Sequence, residues 1–304
     1  MDLDLLVQQA AQAIDAGDDA AVIRTVEALG ANAEQYAPAV WQVARYYAYK
    51  EAYGEAAEFF RRAVTLDPRL SSVAFRVGAH TITLRDVAGS TMPALVLEEL
   101  GTGMYGLRER TFAPGDVIID VGAHIGVVSI LVAKRFPEAR VYAYEPASSN
   151  FAMLQANLAA NGVRNVVAVQ AAVAGEPGTL ELAWSPSQTA GATVAQSAEK
   201  REALRGEGWR TESVRCVTLD EVFATHGIER CAFLKLDCEG AEWGIVRRAA
   251  AIERVTAMAM ELHIPMSRQA EGVPALQQAF IDILMSRSPR PETVVSSTVW
   301  SRFD

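Results

Sequence analysis

The stretch DVIIDVGAHIGVVSIL, residues 116–131, decides the fold. Three apolar β-branched residues, Val117, Ile118 and Ile119, run into Asp120, and Gly122 and Gly126 then bracket Ala123, His124 and Ile125. Beyond Gly126 the apolar residues recur at helical spacing. A short β-branched run, a glycine-bounded break and an apolar helix read as a buried strand, a tight turn and the helix that follows it. In open α/β sheets a ligand sits beyond the carboxyl ends of the strands. Glycine there lets the backbone turn and lets a ligand approach with no Cβ in the way. The helix start turns its unpaired N–H groups toward the same place. That much suits any nucleotide.

Downstream the same alternation repeats. The strand VYAYE precedes the helix SSNFAMLQANLAANG, and VVAVQAAVA and TLELAW follow as strands. AFLKLD precedes the helix AEWGIVRRAA, and VTAMAMELH precedes VPALQQAFIDILMSR. Apolar strands alternating with helices predict a mostly parallel sheet covered by helices on both faces. Between Ser185 and Glu212 the chain is polar and rich in Gly, Ser and Thr in its first half, and a loop of that length reads as a functional lid or a disordered segment. Upstream, residues 1–70 are dominated by helix formers, with helices expected near 3–16, 19–29, 36–50 and 54–66. AFRVGAHTITLRDV predicts a hairpin, and MPALVLEEL a further strand. The expected organisation is a helical region at 1–70, hairpin and linker elements at 71–111, and an α/β domain at 112–304.

Composition narrows the function. The chain has 304 residues, is 50% apolar and 21% charged, and carries a formal net charge of −9, which opposes binding to nucleic acid or to an acidic membrane surface. No apolar run reaches the ~18 residues that span a bilayer. The opening MDLDLLVQQA has acids where a signal peptide needs positive charge. Cys216, Cys231 and Cys238 have no metal-ligand spacing and read as reduced thiols, so a cytoplasmic location is expected.

The second residue of the expected site is Glu145, which ends VYAYE 19 residues past Gly126. A carboxylate at the end of the next strand accepts hydrogen bonds from the hydroxyls of a ribose. A dinucleotide-binding turn has the spacing G-x-G-x-x-G. Here the spacing is G-A-H-I-G directly after an acid, which favours a ligand with a cationic ammonium or sulfonium. The choice therefore falls on S-adenosylmethionine rather than NAD, and an NAD-dependent dehydrogenase is a distant rival.

VIIDVGAHIG, YAYEP, LKLDCEGAEWGIV and MELH stand in the order and spacing of FkbM-type S-adenosylmethionine-dependent methyltransferases, and the chain resembles that family from Phe112 to His263. The resemblance implies a class I methyltransferase (Rossmann-like) fold, a mostly parallel seven-stranded sheet with one antiparallel strand at its end. It implies that Asp120, Gly122 and Gly126, with Ala123 and His124 between the glycines, shape the methionine and ribose part of the cofactor site. Glu145, followed by Pro146, holds the ribose, Gln170 and Ala171 lie along the adenine, and Asp237 stands beside the methionine arm. The family often has Asn where His124 stands. Near the N-terminus, PAVWQVARYYAYKEAYGEAAEFFRRAVTLDP resembles one tetratricopeptide repeat, with Ala44, Tyr47, Ala56, Phe60, Ala63 and Pro68 at its small, aromatic and proline positions. A single repeat leaves a face to bury, either on the rest of the chain, on a second copy or on a carrier protein or peptide.

Methyl transfer to a hydroxyl needs an aligned acceptor and a base. His263 is the expected base, since its ordinary pKa lies near neutrality, with Glu239 and Asp237 as further catalytic candidates. Glu261, two residues before His263 on the same strand face, joins them in an oxygen-rich set suited to a divalent ion, although no metal is expected for the reaction. The leading expectation is O-methylation of a small molecule such as a secondary metabolite or a sugar. The alternatives are an N- or carboxyl-methyltransferase, for which His263 is dispensable, and a non-catalytic cofactor-binding scaffold that docks a partner through its helical N-terminus.

Overall fold

The computed structural model describes residues 2–30, 36–185, 188–194, 202, 204, 208–265, 271–287 and 292–301. The chain forms two compact units, Met1–Met104 and Tyr105–Asp304.

The first unit opens with four helices, α1 (Leu3–Ala16), α2 (Asp19–Gly30), α3 (Ala37–Tyr49) and α4 (Tyr53–Leu66). Asp2 caps α1 by accepting from the N–H groups of Asp4 and Leu5, and Gly17 ends it in the left-handed region. Small residues let the helices approach closely: Ala10, Ala39, Ala44, Ala48, Ala56 and Ala57 are fully buried. Strands β1 (Ser72–Val77) and β2 (His80–Arg85) form the antiparallel hairpin that the alternation predicted. MPALVLEEL is not a strand. It lies in helix α5 (Met92–Thr102), with Pro93 in the first turn, where a missing N–H costs nothing. Ala94, Val96, Leu97 and Leu100 are buried at helical spacing, in a run whose one β-branched residue is Val96.

The second unit holds β3 (Val117–Val121), α6 (Val127–Arg135), β4 (Arg140–Tyr144), α7 (Ser148–Ala160), β5 (Val166–Val169), β6 (Ala172–Ala174), β7 (Gly178–Ser185) and β8 (Gln188–Val194). Then come β9 (Arg210–Thr218), α8 (Leu219–His226), β10 (Cys231–Leu236), α9 (Glu242–Arg248), β11 (Val255–Pro265), α10 (Val273–Arg287) and β12 (Glu292–Ser301). One sheet has the order β12-β11-β10-β3-β4-β5, and every pairing in it is parallel. Ile118, Ile119, Asp120 and Val121 are all buried, so both faces of β3 are covered, as a parallel sheet requires.

Two expectations change here. The sheet has six parallel strands among the described residues, not seven with an antiparallel end. VVAVQAAVA is also not one strand. It breaks at Gln170 and Ala171, and its second half, β6, leaves for a separate sheet of order β6-β9-β7-β8. The antiparallel pairings of this unit, β7 with β8 and β7 with β9, lie in that sheet. β8 falls inside the stretch expected as a loop, and much of the rest of that stretch lies outside the described residues.

From β3 the chain winds through β4 and β5 on one side, then returns to β10, β11 and β12 on the other. The switch point is therefore the gap between the carboxyl ends of β3 and β10, where a ligand crevice opens in such sheets.

Candidate functional site

The turn after β3 is shaped by what it lies against. Gly122 has φ +73°, and a Cβ there would sit 1.7 Å from the carbonyl oxygen of Asp237, so any side chain collides with backbone. Gly126 has φ +96°, and its Cβ would come within 2.5 Å of Leu154. Between them His124 also has positive φ, 50°. The N–H groups of Gly122 and Ala123 both donate to the carbonyl of Tyr144, each at 3.0 Å, which ties the turn to the end of β4.

Glu145 braces the same turn from the other side. One carboxylate oxygen accepts from the His124 N–H at 2.8 Å, and the other accepts from the Ala147 N–H at 3.0 Å and the Asn150 amide at 3.4 Å. Burial pushes this carboxyl up to about 7, against the pull of those donors and of the Lys235 ammonium. Pro146 follows it, half-buried. Gln170 is exposed at the end of β5, and Ala171 is buried in the core.

The residue that joins β3 to β10 is Lys235. Its ammonium is buried, 3.4 Å from Asp120 Oδ1 and 3.3 Å from Asp237 Oδ2, and it donates to the carbonyl oxygens of Val121 and Gly122. Burial opposes its charge, but the two carboxylates outweigh that and raise its pKa. Asp120, fully buried, accepts from the Ser129 hydroxyl at 2.7 Å. Asp237 accepts from the Tyr105 hydroxyl at 3.0 Å. Burial disfavours its charge, yet Lys235 and His263 hold its pKa below the usual value.

A second cluster stands at the ends of β10 and β11. Glu242, fully buried at the start of α9, accepts from the N–H groups of Cys238 at 2.8 Å and Gly240 at 2.9 Å. It also lies 3.0 Å from His263 Nδ1. The other ring nitrogen, Nε2, lies 3.4 Å from Glu239 Oε2. Trp243 donates its indole N–H to the His263 carbonyl at 3.0 Å and packs edge-on against Phe280, fixing the strand end from below. Burial lifts the Glu239 carboxyl to about 7, with His263 opposing and Asp237, Glu242 and Glu261 adding to the rise. Burial works against the His263 imidazolium, but Glu242, Glu239 and Asp237 raise it to about 9.

The structure thus gathers Asp120, Gly122, Ala123, His124, Gly126, Glu145, Pro146 and Asp237 around the switch point. It joins them through Asp237 to Glu239 and His263. Gln170 and Ala171 stand one strand further out, beyond β5. Glu261, half-buried just past a register irregularity in β11, acts on Glu239 through its charge. Among the described residues no group of three or more His, Cys, Asp or Glu side chains is arranged to hold a metal ion. Lys235 and Tyr105 are the members that the sequence reading missed, whereas Glu242 reads in the sequence as a first-turn helix acid and stands in the structure inside the cluster. A lysine inside the apolar run AFLKLD was the available sign, since an ammonium is almost never buried there unless paired.

Among known proteins, methyltransferase sdnD of Sordaria araneosa is 30% identical over 152 residues, covering 43% of this chain and 59% of its own length. The 31-O-demethyl-FK506 methyltransferase FkbM of Streptomyces tacrolimicus is 32% identical over 150 residues, covering 42% of this chain and 57% of its own. The chain thus spans less than three fifths of the length of these relatives. Of solved structures, M. jannaschii TYW2 in complex with AdoMet matches over 33% of this chain and 43% of its own, at 18% identity and a TM-score of 0.26, too slight a likeness to bear on fold or function. The sequence model of the methyltransferase FkbM domain matches residues 120–286, from the buried aspartate of β3 to the last turn of α10, and with more than half of its length so matched the chain belongs to that family.

Proposed function

We propose that this protein is an S-adenosylmethionine-dependent methyltransferase that methylates a hydroxyl oxygen of a small molecule. The observation that carries this reading is the row of carboxylates, Asp120, Glu145, Asp237 and Glu239, at neighbouring strand ends around a glycine-shaped turn. Such a set of acceptors fits a ligand with a ribose diol at one end and a cationic sulfonium and ammonium at the other. It repels a pyrophosphate. The printed name of the Streptomyces tacrolimicus relative, a 31-O-demethyl-FK506 methyltransferase, supports an oxygen acceptor.

Bound in that crevice, the cofactor supplies an electrophilic methyl carbon on sulfur. Glu145 holds the ribose: a carboxylate has about four lone-pair sites, and three internal donors leave room for a hydroxyl. Asp120 and Asp237 set a negative potential that Lys235 moderates, so the charged methionine arm meets a site of limited rather than extreme field. Gly122, Ala123, His124 and Gly126 give the turn its shape, Pro146 fixes the chain after Glu145, and Gln170 and Ala171 flank the base. Glu239, with His263 and Asp237 beside it, stands on the acceptor side, where the hydroxyl proton has to be taken up. No step requires a metal.

Isothermal titration with S-adenosylmethionine, S-adenosylhomocysteine and NAD tests the reading. Both adenosyl ligands are expected to bind, and Glu145→Ala is expected to weaken them by about tenfold or more, the worth of a lost charge-assisted hydrogen bond. Binding of NAD alone would overturn it.

A further inference from the structure

Resting on the methyltransferase reading, we propose that Glu239, not His263, takes the proton from the acceptor hydroxyl, and that His263 is a positioning residue held as an imidazolium between Glu239 and Glu242. A base needs a lone pair that a substrate can reach. Glu242 is fully buried and both of its oxygens already accept from backbone N–H groups, so we place the hydrogen of the contact with His263 on Nδ1. The remaining nitrogen, Nε2, faces Glu239 at 3.4 Å. The His263 side chain is only 5% exposed, whereas Glu239 is 30% exposed. The outward end of the array is therefore a carboxylate.

The backbone presents it deliberately. Glu239 has φ +55°, unusual for a residue with a side chain, and Gly240 follows at φ +105°. Glu242 locks that bend through the Cys238 and Gly240 N–H groups. Glu239 is faced by His263 and Glu261 from β11, by Asp237 from its own loop and by Glu242 from α9. Burial and the three carboxylates raise its pKa, the imidazolium lowers it, and the resulting value of about 7 is where a general base works best at neutral pH.

The step balances. The acceptor O–H proton passes to a Glu239 oxygen while an oxygen lone pair forms the new bond to the methyl carbon. The carbon–sulfur bond breaks, and its electron pair stays on sulfur, which ends as a neutral thioether. A carboxylate and a sulfonium thus disappear together, and Glu239 later loses its proton to water.

Nuclear magnetic resonance of the isotope-labelled whole protein between pH 5 and 9, with and without S-adenosylhomocysteine, locates that proton. We expect two side-chain carboxyls with midpoints near 7, Glu145 and Glu239, of which only the second is absent from Glu239→Gln, while both His263 ring nitrogens stay protonated through neutral pH. In His263→Gln the Glu239 midpoint rises by about one unit or more, because an opposite charge has gone; a packing role alone would not move it. Uptake of the proton by Nε2 of His263 below pH 7, with Glu239 ionised throughout, would overturn the proposal. Calorimetry on the same samples separates the two failures. Absence of adenosyl-ligand binding removes the methyltransferase reading, and this proposal with it, whatever the titration gives.

Discussion

Lys235 carries more of the site than any residue of the glycine turn. Its ammonium, on a side chain only 4% exposed, faces two carboxylates and two carbonyl oxygens. Lys235→Met keeps the length and removes the charge, leaving Asp120 buried and uncompensated. Breaking a buried pair in this way costs about 3–5 kcal/mol, and urea unfolding should read a loss of that order. A loss below about 1 kcal/mol would mean that the aspartates are not ionised in the folded state. Gly122→Ala has a different cause. Its Cβ meets a carbonyl oxygen at 1.7 Å, so the β3 and β10 ends must separate. We expect a lower melting temperature together with loss of S-adenosylhomocysteine affinity, whereas Gly162→Ala, at similar φ with open space around it, should lower stability only slightly and leave affinity unchanged. Asp120, Gly122, Gly126 and Glu145 were legible in the sequence because strand ends and turn geometry restrict residue type. Lys235 was not, because Asp120 and the carbonyls of Val121 and Gly122 lie on another strand and its turn, and only the sheet order brings them to it.

Among the elements, α8 shows what local chemistry fixes by itself. Thr218 accepts from the Glu221 N–H at 3.1 Å, and Glu221 reaches back to the Thr218 N–H at 2.8 Å, a reciprocal cap written in the sequence as T-L-D-E. Thr218→Ala should cost about 1 kcal/mol in thermal unfolding without changing ligand affinity. The helices of residues 1–70 and the first strand-turn-helix of the α/β unit were readable for the same reason: caps, glycines and apolar period agree. α5 was not, since MPALVLEEL is short and largely apolar, and only burial at helical spacing separates the two readings. β6 is harder still. Its three residues look like a continuation of β5, and nothing local says that the chain changes sheets at Gln170.

At the scale of the whole molecule, the buried ionisable groups set how stability follows pH. His263, raised to about 9, contributes stability that is complete below its ordinary value of 6.5 and is lost as pH rises through 9. Glu145 and Glu239, both raised to about 7 from 4.5, bind protons more readily folded than unfolded, so the folded state is penalised as pH climbs from 4.5 to 7. All three push the same way, so the melting temperature should fall steadily from pH 5 to pH 9, as differential scanning calorimetry would record. A flat or rising profile over that range would mean that these carboxyls are ionised at their ordinary values. The overall class of the fold was legible because alternating strand and helix patterns demand a parallel sheet. The strand count was not, because β12 and the second sheet depend on pairings between distant segments.

The sheltered ammonium at the β3–β10 junction also makes the protein its own reporter. The chain has four lysines, Lys50, Lys134, Lys200 and Lys235. An amine-reactive reagent attacks only a deprotonated, reachable nitrogen, so Lys50, paired with Asp19 but 39% exposed, is modified well before Lys235, which is 4% exposed and doubly paired. The rate at which mass spectrometry finds label on Lys235 then measures how often the two strand ends come apart, a clock for opening of the sheet that needs no engineered probe.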